Sequence, residues 1–120
     1  MTTTLYQRLG GATGIAKLVD DVMAAHMTNP IVKTRFENIK DLDRTKKMAR
    51  EFFSAGSGGP ETYTGKDMLA AHKGMNISEQ EYLAATDDIV GAMEKQGLSE
   101  DTKKDVIAIL YSLKGNIIRV

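Results

Sequence analysis

Apolar residues recur at intervals of three and four along most of this 120-residue chain, and no long stretch alternates as a half-buried strand does. The clearest run comprises Ile15, Leu18, Val19, Val22, Met23 and Met27. This spacing predicts one amphipathic helix whose outer face carries Asp20 and Asp21. We therefore expect an all-α fold, built as a single domain over residues 1–120 around one core.

Helix-start signals predict two further helices after this one. Pro30 is suited to the first turn of a short helix that carries Ile31, Val32 and Phe36. Asp43 is a plausible N-cap for the helix after that. The predicted buried face of this later helix consists of Thr45, Met48, Ala49, Phe52 and Phe53, and its outer face of Lys46, Lys47, Arg50 and Glu51.

A glycine-rich break separates these helices from the second half of the chain. Residues 55–60 read Ala-Gly-Ser-Gly-Gly-Pro, in which three glycines and a proline disfavour helix. We expect a loop that runs to about Lys66, followed by a short helix from Met68 to near Gly74. His72 then lies close to the end of that short helix.

Two longer helices are predicted in the last third of the chain. Residues 78–81, Ser-Glu-Gln-Glu, form a capping box that opens the first, and Gly97 is its stop signal. The expected apolar face of this helix is Tyr82, Ala85, Ile89 and Met93. Ser99 is expected to begin the last helix. Its expected buried stripe is Val106, Ile109, Leu110, Leu113 and Ile117.

The charge balance bounds the partners of the chain. It carries 16 Lys and Arg against 16 Asp and Glu, so nothing in the net charge points to nucleic acid or to an anionic membrane. With no cysteine, a disulfide framework is unavailable, which suits a reducing compartment. Residues 1–6 lack the pattern of a signal peptide, and no run approaches a membrane span. We expect a cytoplasmic protein.

His72 is the best candidate for binding chemistry. With only His26 as a second histidine, a metal cage made by the protein alone would consist mostly of carboxylates, whereas a haem needs one protein ligand because the porphyrin supplies four nitrogens. The carbonyl of Met68, one helical turn earlier, could accept a hydrogen bond from the imidazole and orient it. Apolar walls could come from Phe36, Phe53, Met68, Ile77 and Tyr82, with Tyr63 and Lys66 at the edge. A lone histidine on an apolar helix face is more often a core or surface residue, so the residues alone leave both interpretations open.

The order and spelling of several segments resemble the group I truncated haemoglobins over nearly the whole chain. The segments are Leu-Tyr-Gln-Arg-Leu-Gly-Gly at 5–11, Phe36, Phe-Phe at 52–53, Gly-Gly-Pro at 58–60, Tyr-Thr-Gly at 63–65 and Met-Leu-Ala-Ala-His-Lys-Gly-Met at 68–75. The resemblance implies a two-over-two helical sandwich, a shortened globin fold, that binds haem b. It also implies that His72 is the proximal iron ligand, with Phe36 on the haem face and Phe53 closing the distal side. Tyr63 and Lys66 then match positions near the haem propionates.

The distal side departs from the family pattern. Counting from the glycines at 10–11 places Met23 where the family commonly has a tyrosine that donates to the bound gas. Where the facing helix often offers glutamine, the matching residues are Thr45, Met48 and Ala49, with a possible shift of one residue between 37 and 44. Three alternatives follow: an apolar pocket filled by methionines, His26 as distal donor or sixth ligand, or Met23 or Met48 as ligand. His26 could instead end its helix near Asn29, where the helix dipole favours a cation.

These features predict a monomeric protein that reversibly binds a diatomic gas, namely oxygen, carbon monoxide or nitric oxide. The resemblance implies oxygen binding or carriage, and the missing tyrosine makes nitric oxide dioxygenation with an unidentified reductase a weaker alternative. A haem redox or sensor protein with an internal sixth ligand is a further alternative. A rival of another class is a cofactor-free helical interaction module whose methionine-rich stripes form core or partner surface.

Overall fold

The computed structural model describes residues 3–120, so Met1 and Thr2 of the expected domain lie outside it. Six α-helices account for most of these residues. They are α1 (Leu5–Arg8), α2 (Gly11–Thr28), α3 (Leu42–Gly56), α4 (Met68–His72), α5 (Glu79–Lys95) and α6 (Glu100–Leu113), with 3₁₀ turns at Lys33–Arg35 and Lys114–Asn116. Over this range β-structure is limited to one isolated parallel bridge between Ile77 and Ile118. The all-α prediction is confirmed.

Helix α2 lies at the centre of the fold. It packs against α3 on one side and α5 on the other, and α5 packs in turn against α6. The result is two helix pairs, α2 with α3 and α5 with α6, around one shared core. The buried core side chains are Leu9, Ile15, Leu18, Val19, Val22, Ala92, Met93 and Val106. The predicted apolar stripe of α2 therefore forms the middle of the core, except for Met27, which is 37% exposed near the helix end.

Glycines allow the sharp turn between α1 and α2. Gly10 adopts a left-handed conformation with φ of 94°, which side-chain-bearing residues rarely occupy. A β-carbon at Gly14 would collide with the backbone carbonyl of Leu9. The glycines of the segment at 10–14 thus bring α1 directly onto the start of α2.

The helix caps show which start signals were correct. Ser78 and Glu81 form the predicted capping box of α5, and Ser99 caps α6. The Asp43 assignment was wrong, because the Asp41 carboxylate accepts the hydrogen bond from the Arg44 backbone N–H at 3.0 Å and α3 begins at Leu42. Both aspartates have the chemistry of an N-cap, and the turn before the helix decides between them.

Three other boundaries differ from the sequence prediction. Pro30 opens turns and the 3₁₀ segment Lys33–Arg35 rather than an α-helix, because the hydrogen bonds there are short-range turn bonds. Helix α3 continues to Gly56, and the left-handed turn comes at Gly58, with φ of 88°. Helix α6 ends at Leu113, so Ile117 is not part of it. Ile117 is nevertheless buried, and it follows the 3₁₀ turn after the helix.

One predicted surface residue of α3 is buried. The carboxylate of Glu51 accepts hydrogen bonds from the backbone N–H of Thr64 at 2.9 Å and from its hydroxyl at 2.6 Å. These bonds lower the pKa of Glu51 because they stabilise the ionised form. Glu51 therefore joins α3 to the loop that leads to α4. None of the helices in residues 3–120 has the length and apolarity needed to cross a membrane.

Candidate cofactor site

Helix α4 presents His72 at its last position. The Asp67 side chain accepts a hydrogen bond from the Ala70 backbone N–H at 2.7 Å and caps the first turn. Gly74, with φ of 89°, follows the helix end and turns the chain away. A five-residue helix with both ends determined by local signals thus sets the position of the imidazole.

The imidazole of His72 is oriented by its own helix. Its Nδ1 lies 2.8 Å from the carbonyl oxygen of Met68, which confirms the hydrogen bond predicted from the spacing. A carbonyl can only accept, so Nδ1 carries the proton and the neutral ring keeps its lone pair on Nε2. This is the arrangement that a histidine needs in order to bind a metal through Nε2.

A largely apolar cavity lies beside His72. Its volume is about 190 Å³. Its walls are Val32, Arg35, Phe36, His72, Met75, Ile77, Glu81, Tyr82, Ala85 and Ile117. The structure therefore brings together four predicted residues, His72, Phe36, Ile77 and Tyr82. Sequence reasoning missed the other six as site residues.

Only some of those six carried a usable signal. Ala85 lies one turn after Tyr82 on the predicted apolar face of α5, and Met75 belongs to the segment that contains His72. Ile117 reaches the cavity from the C-terminal turn, which depends on tertiary packing. Arg35 and Glu81 are charged, so a search for apolar walls passes over them.

Several predicted haem contacts lie outside this cavity. Phe53 borders a separate void of about 20 Å³ between α1, α3 and α6. Lys66 is exposed, and the Tyr63 hydroxyl donates to its backbone carbonyl at 2.5 Å. Met68 contributes its carbonyl, while its side chain is half-buried and does not line the cavity.

The predicted distal residues on α2 and α3 are also absent from the cavity walls. Met23 is buried in the core, and Met48 and Ala49 are half-buried on α3. The Thr45 hydroxyl donates to the backbone carbonyl of Asp41 at 3.2 Å. The hydroxyl proton of Thr45 therefore forms a hydrogen bond with the N-cap residue of α3.

His26 occupies a different environment from His72. It is 5% exposed, and its Nδ1 lies 2.7 Å from a carboxylate oxygen of Asp88 on α5. The Asn29 side chain donates to the same carboxylate at 3.1 and 3.2 Å. The ring stacks on Phe36, with 4.6 Å between centroids. His26 therefore lies in the last turn of α2, near Asn29, where its ring contacts a carboxylate of α5.

An ion pair borders the cavity. Arg35 donates to Glu81 through Nε at 2.5 Å and through Nη2 at 3.1 Å. The Arg35 guanidinium holds the pKa of Glu81 down to about 2, and the Glu81 carboxylate in turn raises the pKa of Arg35. On the same wall, burial raises the pKa of Tyr82, whose hydroxyl donates to the carbonyl of Leu110 at 2.5 Å.

These residues fit a haem. An oriented imidazole, whose Nε2 has no hydrogen-bond partner among residues 3–120, lines an open-mouthed cavity. The other walls include aromatic and aliphatic side chains of the kind that enclose a flat macrocycle. Among residues 3–120, no three His, Cys, Asp or Glu side chains come together as metal ligands.

The family model of bacterial-like globins matches residues 4–119, and the chain belongs to this family. Membership supports a globin that binds haem and a gas. The group 1 truncated haemoglobin of Tetrahymena pyriformis is 29% identical over 115 residues, which cover 87% of this chain and 94% of the relative. That of Synechocystis sp. is 25% identical over 111 residues, covering 89% of each chain.

Solved structures show the same fold. The truncated haemoglobin of Tetrahymena pyriformis in its Fe(III) form superposes with a TM-score of 0.93 at 24% identity, covering 98% of this chain and 100% of that one. The group II truncated haemoglobin of Bacillus anthracis gives 0.87 at 22% identity, covering 100% and 94%. The predicted truncated globin fold is thereby confirmed.

Proposed function

We propose that the protein binds haem b beside His72 and reversibly binds a diatomic gas, with oxygen, carbon monoxide and nitric oxide as candidates. The observation that carries this proposal is the hydrogen bond from His72 Nδ1 to the Met68 carbonyl, which leaves Nε2 free at the edge of an apolar cavity. When bound, haem would supply the iron that binds the gas.

Different residues of the cavity would contact different parts of the cofactor. His72 anchors the iron through Nε2 in the proposed complex, and the Met68 carbonyl prevents the ring from rotating. Phe36, Ile77 and Tyr82 provide apolar walls that exclude water and slow oxidation of the ferrous state.

Three hydroxyl groups considered for the site are already committed to backbone carbonyls. Thr45 donates to Asp41, Tyr63 to Lys66 and Tyr82 to Leu110. Met23 has no N–H or O–H group to offer. This pattern supports an apolar distal side with fast oxygen release and weak preference for oxygen over carbon monoxide, because a charge-assisted donor to the ligand is lost.

The same contacts weigh against two alternatives. Nitric oxide dioxygenation needs slow oxygen release and a reductase, and the committed hydroxyls favour fast release. His26 does not line the cavity, and its ring is buried and stacked on Phe36, so it would have to leave this packing to become a sixth ligand. We therefore propose that His72 would be the one protein ligand of the iron. We propose further that the protein is monomeric and cytoplasmic.

A haem titration tests this function. Adding haemin to the purified apoprotein should give an intense absorption band near the ultraviolet edge that saturates at one haem per chain. The ferrous spectrum without added ligand should be that of five-coordinate iron and should change on addition of carbon monoxide. A protein that takes up no haem would defeat the proposal and favour the helical interaction module, while a six-coordinate ferrous spectrum would restore His26 or a methionine as ligand.

A further inference from the structure

We propose that Arg35 and Glu81 form a latch that closes one edge of the haem cavity and slows the loss of haem. This inference rests on the proposed function, since it concerns the retention of the cofactor. The latch joins the segment that carries Phe36 to the first turn of α5, which carries Tyr82. Both of these aromatic side chains line the cavity together with His72.

The segment 33–40 depends on this pair. Its backbone hydrogen bonds reach back no further than Asn29. Among the hydrogen bonds of residues 3–120, those from Arg35 to Glu81 are the only ones that tie the segment to a distant part of the chain, 46 residues away. Without the pair, the wall formed by Phe36 would be held to α5 by packing alone.

Glu81 is held in place by contacts with Ser78 that do not involve Arg35. As the third residue of α5, it accepts a hydrogen bond from the backbone N–H of Ser78 at 3.1 Å, while its own N–H donates to the Ser78 hydroxyl at 3.0 Å. The positive end of the helix dipole also favours a carboxylate at this position. Arg35 therefore meets an oriented partner, and its two parallel bonds lose little side-chain entropy in forming.

The exposure of the pair places it at the border of the cavity. The Arg35 side chain is 30% exposed and that of Glu81 is 19% exposed, although both line the same cavity as His72. A pair in this position spans the gap between two walls without occupying the middle of the site. Haem that leaves past this edge would first have to separate Arg35 from Glu81.

The test measures how fast ferric haem passes from the protein to excess apomyoglobin in Arg35→Met and Glu81→Gln variants. Glutamine keeps the capping box of α5, so E81Q weakens the pair without removing the cap. The matched control is Arg8→Met, which breaks another arginine–carboxylate ion pair, a single contact of 2.6 Å from Arg8 to Asp105, between α1 and α6 and away from the cavity.

Haem loss should become about tenfold faster in both latch variants, as expected for the loss of one charge-assisted interaction, and should stay within about twofold in the control. The double variant should be no faster than either single variant, because both remove the same contact. High salt should speed haem loss from the wild type towards the variant rates, since the pair is partly exposed.

Two results would overturn the latch. Unchanged haem loss in both variants would show that the pair does not retain haem. Slower loss in E81Q with faster loss in R35M would show instead that Arg35 binds a haem carboxylate directly.

Amide hydrogen exchange of residues 33–40 in the apoprotein provides a haem-independent readout, and R35M should accelerate it while R8M should not. A wild type that takes up no haem would defeat the proposed function itself, and this is visible before any variant is compared.

Discussion

The two histidines lie in regions of opposite character. His26 lies in the last turn of an 18-residue helix, is buried, and shares a carboxylate with Asn29. His72 ends a five-residue helix that has no fully buried residue, and its Nδ1 faces a carbonyl. Either partner of Nδ1 orients the ring and leaves Nε2 available, but only His72 lines the cavity, whereas the His26 ring is stacked on Phe36. The difference teaches that the position of the ring, at the wall of an open cavity or within the packed interior, distinguishes a candidate ligand from a structural histidine.

The largest expected contrast is in haem affinity. His72→Ala should lower it by at least about 100-fold, since removing even an outer-shell partner of a metal ligand typically costs 10- to 100-fold. His26→Ala should leave it within about tenfold, because His26 acts only through its stacking on Phe36. Haemin titrations of both variants measure the contrast, and equal losses would erase the distinction between the two regions.

For folding stability, the buried cluster around His26 should matter more than an exposed ion pair. Asp88→Ala should lower the free energy of unfolding by roughly 3 kcal/mol, because it leaves His26 and Asn29 without their buried partner. The control Asp105→Ala breaks an exposed ion pair with Arg8 and should cost no more than about 1 kcal/mol. Urea denaturation of the apoproteins gives both values, and similar losses would mean that the Asp88 cluster adds little beyond a surface pair.

A pH effect should come from Glu81 at the cavity edge. Its pKa is about 2 in the folded protein against an ordinary 4.5, so the folded state favours the ionised carboxylate. The stability that this provides is complete above pH 4.5 and is lost as the pH falls towards 2. With allowance for partial exposure, it should amount to roughly 1–2 kcal/mol. Urea denaturation from about pH 5 to about pH 3 should show that the free energy of unfolding falls less steeply in E81Q than in the wild type. Parallel curves for the two proteins would contradict the pairing.

The smallest effect is expected at Thr45. Its hydroxyl already donates to Asp41, so Thr45→Val should change the oxygen dissociation rate by no more than about twofold. Stopped-flow measurement of oxygen release would check this. A tenfold or larger acceleration, on the order of one lost hydrogen bond, would show that the hydroxyl turns towards the ligand instead.

Features coded by a few neighbouring residues could be predicted from the sequence. The capping box at Ser78 and the bond from His72 to the Met68 carbonyl each depend on residues within one helical turn, and both are confirmed. The start of α3 was misplaced because Asp41 and Asp43 are equally good caps in isolation. The truncated globin fold itself became predictable only through the segments shared with a known family.

Pairs that are distant in sequence could not be predicted in the same way. Asp88 lies 62 residues from His26, and Glu81 lies 46 residues from Arg35. Their meeting depends on how α5 packs beside α2 and the 3₁₀ turn at Lys33–Arg35, which no local pattern encodes. The cavity is lined from four parts of the chain, and for this reason only four of its ten lining residues were predicted, His72 among them.

The most direct test of the account is chemical rescue of His72→Gly. This variant should fail to anchor haem iron in the absence of imidazole, and added imidazole should restore the wild-type absorption spectrum by occupying the space left by the side chain. A His72→Gly protein whose haem spectrum is the same as that of the wild type without imidazole would contradict the assignment of His72 as the iron ligand.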